Sequence, residues 1–219
     1  MGRAMSPAHP SLLKTTYKIM LFLIFSILLG AALALPFFYQ TETLWYKTGI
    51  DKILLRTGQQ AGLAAFVLLL AQIVLSLRGR FFENLFGNAV LIRWHRTNGP
   101  VVACLACCHV LLILAPEGLG NIPFGKRYWP EMTGEGLFVL IVITVILSQF
   151  RSPLKLDYKK WRALHRPLGY MIPVLALIHA LYVSDSFSQG APRTVLLALF
   201  AVLSLYAVLV KAGRGKTNA

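Results

Sequence analysis

The sequence predicts an all-α membrane protein, a bundle of six transmembrane helices that forms one domain over residues 1–219. Two observations predict this fold class. Apolar residues make up 57% of the chain and charged residues only 14%, with a mean hydropathy of +0.65, whereas soluble domains are about 45–50% apolar. Long apolar runs also recur along the whole chain, so that only short loops separate them and a further soluble domain is not expected.

Six apolar segments are candidate membrane spans, because about twenty mostly uncharged residues cross a bilayer. The first follows Lys14 and Lys18 and has some features of a signal peptide. Its apolar run of about twenty residues is longer than the run in such a peptide, so we interpret it as a retained span. The fourth and fifth are short but have clear boundaries. The predicted spans are residues 18–38, 60–77, 97–115, 135–150, 168–184 and 194–211.

The distribution of charge predicts the orientation of the bundle. Sixteen of the 22 Lys and Arg residues fall at the two termini and in the second and fourth loops, whereas six of the eight acidic residues fall on the opposite side. Because positive charge in short loops stays cytoplasmic, both termini are predicted to be cytoplasmic. We expect a multi-pass protein of a bacterial inner (cytoplasmic) membrane. The net charge of +14 is then a topology signal, which predicts contact with lipid and not with nucleic acid.

Four of the five histidines form two copies of one pattern. His95 and His109 bound the segment HRTNGPVVACLACCH, and His165 and His179 bound HRPLGYMIPVLALIH, each pair fourteen residues apart. Fourteen residues are nearly four helical turns, so each pair lies on one helical face with its members about 21 Å apart. Pro100 and Pro173, between the members, are expected to kink both helices and shorten that distance, whereas Pro167 is expected near a helix start. The geometry suits two stacked haems, each held from both sides.

The predicted topology decides which histidines lie together. The third and fifth spans run in the same direction, so His95 shares a depth with His165, and His109 shares a depth with His179. An ionisable side chain in a membrane is costly and usually functional. The sequence therefore predicts two metal sites, each with two imidazole ligands on the iron of a haem. Such a centre has no open coordination position and transfers electrons.

Two residue types next to the cytoplasmic histidines support this assignment. Gly99 and Gly169 each follow the histidine by four residues on the same helical face, where a missing side chain would let a flat macrocycle lie close. Arg96 and Arg166 each follow the histidine directly, where a guanidinium can pair with a haem propionate. Positive-inside charge explains the same arginines without a ligand. Further candidates for this pairing are Arg80, Arg93 and Arg162.

Other uses of four histidines fit less well. A zinc or copper ion needs its ligands at about 2 Å, and residues four turns apart cannot converge on one ion. A proton relay usually recruits membrane carboxylates, which these spans nearly lack. A covalent c-type haem needs Cys-x-x-Cys-His, and Leu105 breaks that signature before His109. A haem-free transporter or structural bundle, in which the histidines only pack, stays open.

The segments LIRWHRTNGPVVACLACCHVLLIL and KKWRALHRPLGYMIPVLALIHALYV resemble the ferric reductase-like transmembrane domain family. This family includes ferric reductases, NADPH oxidases and the haem-binding subunit of a methionine sulfoxide reductase system. The resemblance covers about residues 50–185 and implies that the four histidines bind two b-type haems. It also implies that electrons reach the haem near the cytoplasm first. WRALH resembles the sulfoxide reductase subunit in particular.

Two features depart from the reductase and oxidase pattern. No G-x-G-x-x-G fingerprint follows a strand, so no flavin or NAD site is expected in this sequence, and the donor is expected to be a separate cytoplasmic flavoprotein or a quinol. Where the oxidases have an aromatic residue between the haems, this chain has Met171 and Ile172. The expected function is therefore a di-haem membrane electron-transfer protein with an acceptor at the outer face. The alternative is a haem-binding anchor subunit that feeds a separate exported reductase.

Overall fold

The protein is seen here as a computed structural model, which describes residues 10–39, 42–118, 123–188 and 190–215. All regular structure in these residues is helical. Within these residues, two short helices and three 3-10 turns connect six long helices. The helices are α1 (Pro10–Phe38), α2 (Glu42–Tyr46), α3 (Gly49–Leu77), α4 (Arg80–Phe86), α5 (Asn88–Leu114), α6 (Trp129–Gln149), α7 (Tyr158–Val183) and α8 (Gly190–Gly215).

Each of the six long helices is long and apolar enough to cross a membrane, by a search of the described residues. The predicted all-α fold with six spans is thereby confirmed, and the protein is an integral multi-pass membrane protein. The predicted starts of several spans were too late. The third span was expected at residue 97, but α5 begins at Asn88, and the fifth was expected at 168, but α7 begins at Tyr158. Hydropathy marks only the apolar part of a helix, whereas the helix continues through charged turns at the membrane surface.

The buried core lies where α3, α5, α6 and α7 meet. Its members are all aliphatic: Leu69, Val102, Leu137, Ile141, Ile172 and Ala176. Val102 and Ile172 each lie seven residues from both histidines of their own helix. The apolar core therefore occupies the level midway between the two pairs of histidines. Met171 is about half exposed and points away from it.

The outer surface of the bundle is apolar. Large side chains of α1 and α8 are strongly exposed, among them Ile27 at 68% and Val202 at 64% of their full area. A soluble protein seldom exposes apolar patches larger than a few hundred Å², and lipid is the solvent that such a surface fits. α1 packs mainly on α3, so that it lies at the edge of the four-helix core.

Prolines interrupt the hydrogen bonding of both histidine helices. Pro100 lies inside α5, as expected, and Pro173 lies inside α7. Pro167 was expected near a helix start, but α7 begins nine residues earlier, so this proline is also internal. A proline inside a helix leaves the carbonyl four residues before it without its usual donor. In α5 that carbonyl belongs to Arg96, and the Gln149 side-chain amide donates to it at 3.3 Å.

Candidate histidine site

The two histidines predicted at the cytoplasmic depth lie opposite each other, one on α5 and one on α7. The ring centroids of His95 and His165 are 6.3 Å apart, and the ring planes are nearly perpendicular at 87°. We call them the inner pair, after the orientation that the charge pattern predicts. Both were placed outside the predicted spans, yet both lie within membrane-spanning helices.

The other two histidines form a matching arrangement four turns further along the same helices. The ring centroids of His109 and His179 are 6.4 Å apart, with ring planes at 78°. We call them the outer pair. The structure thus contains the same two pairs that helix direction and residue spacing predicted from the sequence. That the pairs hold haem iron stays a prediction.

The spacing within each pair fits one metal ion between two rings. A ring nitrogen ligand lies ~2.0 Å from a metal and ~1.1 Å from its own ring centroid, so two rings in line with the metal have centroids about 6.2 Å apart. The observed separations are 6.3 and 6.4 Å. Among the described residues, no three His, Cys, Asp or Glu side chains converge as a metal site. Each pair therefore offers two ligands, which fits a metal whose other four ligands come from a macrocycle.

Hydrogen bonds at the outer pair determine which ring nitrogen can bind a metal. Nδ1 of His109 lies 2.8 Å from the carbonyl oxygen of Gly58, and Nδ1 of His179 lies 3.1 Å from that of Pro130. A carbonyl oxygen only accepts, so Nδ1 of each ring carries the proton and donates it. Nε2 then keeps its lone pair. Metal-binding histidines typically donate from their second nitrogen in this way.

The inner pair is held differently. Nδ1 of His165 lies 3.3 Å from Ser148 Oγ, and the indole ring of Trp161 stacks on the imidazole at 4.8 Å. Nδ1 of His95 is buried and has no hydrogen-bond partner among the described residues. The backbone of His95 is held instead, because the side-chain amide of Gln72 donates from Nε2 to the His95 carbonyl oxygen at 2.9 Å. The two pairs therefore share a spacing but differ in what surrounds their ligand nitrogens.

Glycines on neighbouring helices give the outer rings their space. A Cβ at Gly62 of α3 would lie 2.7 Å from His109 Nδ1, and one at Gly134 of α6 would lie 2.6 Å from His179 Nδ1. Sequence reasoning missed both residues. The available signal was Gly58 with Gly62, a spacing of four in an apolar helix that marks close helix approach.

The two glycines that the sequence singled out have other surroundings. A Cβ at Gly99 would lie 3.6 Å from Gln72 Nε2, whereas one at Gly169 would meet nothing within 4 Å. Neither glycine packs against a histidine ring. Their proposed role, to make room for a flat macrocycle, stays a prediction.

The arginines next to the inner pair are exposed, as membrane-surface arginines are. Arg96 and Arg93 line one cavity of about 630 Å³ at the start of α5. Arg166, on α7, does not line it, and neither do Arg80 and Arg162. The full lining is Ala89, Ile92, Arg93, Arg96, Thr97, Pro100 and Gln149. The structure therefore places two of the five candidate arginines together.

Two buried polar atoms, on the helices whose carbonyls bind the outer pair, have no hydrogen bond within the described residues. Arg56 Nε is buried without a hydrogen bond among the described residues, and its guanidinium lies 4.7 Å from the centroid of the Phe37 ring. Glu131 Oε2 is also buried and unpaired within that part of the chain, next to Pro130, whose carbonyl binds His179. Both residues lie in spans that begin before the predicted boundaries. Sequence reasoning counted them only as surface charge.

The fold and the paired histidines define a class: a six-span helical membrane protein with two two-histidine sites at different depths. The model of one protein family, described as ferric reductase like transmembrane component, matches residues 61–172. Since this is half of the chain, the protein belongs to that family, as the sequence resemblance predicted. The matched segment contains His95, His109 and His165, and His179 follows seven residues after it.

Two further comparisons gave no relative. No curated protein matches the chain, and no solved structure matches it. Family membership therefore rests on the family model, and it indicates a membrane component of electron transfer.

Proposed function

We propose that this protein is a di-haem b-type cytochrome that carries single electrons across the membrane. The observation that supports the proposal best is the geometry of the two histidine pairs, with centroid separations of 6.3 and 6.4 Å and with Nε2 left free on both rings of the outer pair. The two imidazoles of each pair would hold the iron of a haem whose macrocycle supplies the other ligands. The bound haem supplies a one-electron couple with no position open to oxygen or substrate.

The chain's own residues hold and shield this couple. His95 and His165 are the ligands of the inner site, and His109 and His179 those of the outer site. At the outer site, backbone carbonyls fix the ring orientations and the glycines of α3 and α6 admit the rings. Between the two levels, the aliphatic core excludes water. This aliphatic packing is the proposed route between the haems.

Charged side chains are available for the haem propionates. Arg96 and Arg93 share one cavity beside the start of α5, which fits carboxylate groups at the inner site through charge-assisted hydrogen bonds. We propose Arg56, with its unpaired buried Nε, for the same role at the outer site. A buried donor atom without a hydrogen bond is costly, so an anionic group that accepts from Nε would relieve that cost. Arg166 stays a weaker proposal because it does not line the inner cavity.

The direction and the partners follow from the charge pattern and the family resemblance. We propose a cytoplasmic flavoprotein or a quinol as donor and an acceptor at the outer face, in a bacterial inner membrane. A separate exported reductase is a second candidate acceptor. The WRALH segment favours it, because that segment resembles the sulfoxide reductase subunit.

A reduced-minus-oxidised absorption spectrum with a pyridine haemochrome count tests the proposal. We expect two b-type haems per chain. His95→Ala and His179→Ala should each remove one haem, from different sites, and the double variant should remove both. His9→Ala is the matched control, because this fifth histidine precedes all six spans. Colourless protein from haem-replete cells would refute the proposal and favour a transporter or structural bundle.

A further inference from the structure

We infer that Ser148 and Trp161 are positioning residues for His165, which together fix its tautomer and its ring plane. The inference rests on the proposed function, because it concerns how one ligand of the inner site is presented to iron. Ser148 lies in the last turn of α6, and Trp161 lies one turn before His165 on α7. The two residues thus meet the histidine from different helices.

Hydrogen-bond accounting at Ser148 determines the tautomer. Its hydroxyl has one hydrogen and two acceptor lone pairs. Oγ lies 2.7 Å from the carbonyl oxygen of Thr144, which can only accept, so the hydroxyl hydrogen is used there. Trp161 Nε1 can only donate, and it donates to Oγ at 3.3 Å. The remaining lone pair of Oγ therefore accepts from His165 Nδ1 at 3.3 Å, which leaves Nε2 of His165 unprotonated and free for a metal.

Stacking determines the ring plane. The indole of Trp161 lies nearly parallel to the imidazole of His165, at 19° and 4.8 Å between ring centroids. Arg151 and Tyr158 enclose the indole: the guanidinium lies 5.8 Å from its centroid, and the phenol ring lies 5.6 Å from it. An imidazole free to rotate about its side-chain bonds is thereby held flat against one surface. Its plane is nearly perpendicular to that of His95.

This arrangement is specific to one of the four histidines. His109 and His179 donate to backbone carbonyls, and Nδ1 of His95 has no partner within the described residues. Of these four histidines, His165 alone has, within the described part of the chain, an Nδ1 partner and a stacking partner that are both side chains. Substitution can therefore change the inner site alone, and the outer haem of the same molecule serves as an internal control.

Two changes are expected when the arrangement is removed. A hydrogen bond from Nδ1 makes the imidazole a stronger donor to the metal, which favours ferric iron. Ser148→Ala should therefore raise the midpoint potential of the inner haem. Loss of the stack should release the ring plane. Perpendicular imidazole planes give a strongly anisotropic low-spin ferric signal in electron paramagnetic resonance, and a freed ring should move the inner signal towards the rhombic form.

The experiment is a redox titration with electron paramagnetic resonance on the purified full-length haem protein. The variants are Ser148→Ala, Ser148→Thr, which keeps the hydroxyl, and Trp161→Leu. Ser76→Ala is the matched serine control, since its exposed hydroxyl donates to the Ile73 carbonyl within α3. Trp45→Leu is the matched tryptophan control, since this side chain is 64% exposed.

The expected result is a change confined to one haem. Ser148→Ala should raise the inner potential, Trp161→Leu should change the inner signal, and Ser148→Thr should restore wild-type behaviour. Loss of the inner haem alone in Ser148→Ala or Trp161→Leu would also support the inference. It is refuted if both variants match their controls, or if both haems shift equally. Wild-type protein without haem would instead refute the proposed function, and this inference with it.

Discussion

Gly134 is the position at which one added methyl group should disable the outer histidine site. A Cβ there would lie 2.6 Å from His179 Nδ1 and 3.0 Å from Nε2. The ring is held against α6, because Nδ1 donates to the Pro130 carbonyl one turn before Gly134 on the same helix, so a displaced ring would lose that hydrogen bond. We expect Gly134→Ala to displace the ring and weaken haem binding at the outer site, with the inner site unaffected.

The size of this effect follows from the collision. Forcing one extra carbon into a well-packed site costs about 1–3 kcal/mol, which is roughly a 5- to 150-fold loss of affinity. Alanine also favours the helix over glycine by about 1 kcal/mol, so overall unfolding should change little. Gly136→Ala is the matched control on the same helix, because a Cβ there meets nothing within 4 Å.

Haem stoichiometry and thermal unfolding in detergent measure the two quantities separately. Gly134→Ala should lose haem from the outer site, either at purification or on titration with a competing haem acceptor. Gly136→Ala should keep two haems per chain. Equal haem content and identical spectra in the two variants would show that the His179 ring is not confined as described.

Three further outcomes are expected. Gln149→Ala should lower the unfolding free energy by about 0.5–1.5 kcal/mol, because the Arg96 carbonyl loses its side-chain donor; unchanged thermal stability would contradict this. Arg96→Ala should weaken inner haem binding more than Arg166→Ala, measured as haem retention under dilution, and equal retention would remove the cavity argument. Lys47 Nζ lies 2.8 Å from Glu117 Oε1, and the hydrogen bond to that carboxylate raises the pKa of Lys47. The stability from this ion pair is therefore present at neutral pH and lost as pH rises through the raised pKa. The melting temperatures of wild type and Lys47→Ala should then converge at alkaline pH. A difference that stays constant with pH would show that the ion pair does not stabilise the fold.

The sequence predicted the number of spans and the pairing of the histidines because both depend on local periodicity. Apolar length alone marks a membrane helix, and fourteen residues of helix place His95 and His109 on one face whatever surrounds them. The parallel direction of α5 and α7 follows from counting spans. The boundaries were less accurate, since α5 and α7 extend through arginine- and lysine-bearing turns that hydropathy leaves out.

The surroundings of the rings were decided only by the tertiary structure. Three residues contact a histidine of a different helix: Gly62, Gly134 and Ser148. No local sequence pattern links such residues to the histidine. From the sequence, Arg56 and Glu131 were counted as loop charges. In the structure both lie in helices that begin before the predicted spans. Helical period fixes which residues share a face, whereas the rotation and closeness of neighbouring helices fix what that face meets. The sequence by itself therefore determined where the histidines lie, and the packing of α3 and α6 decided how each ring is held.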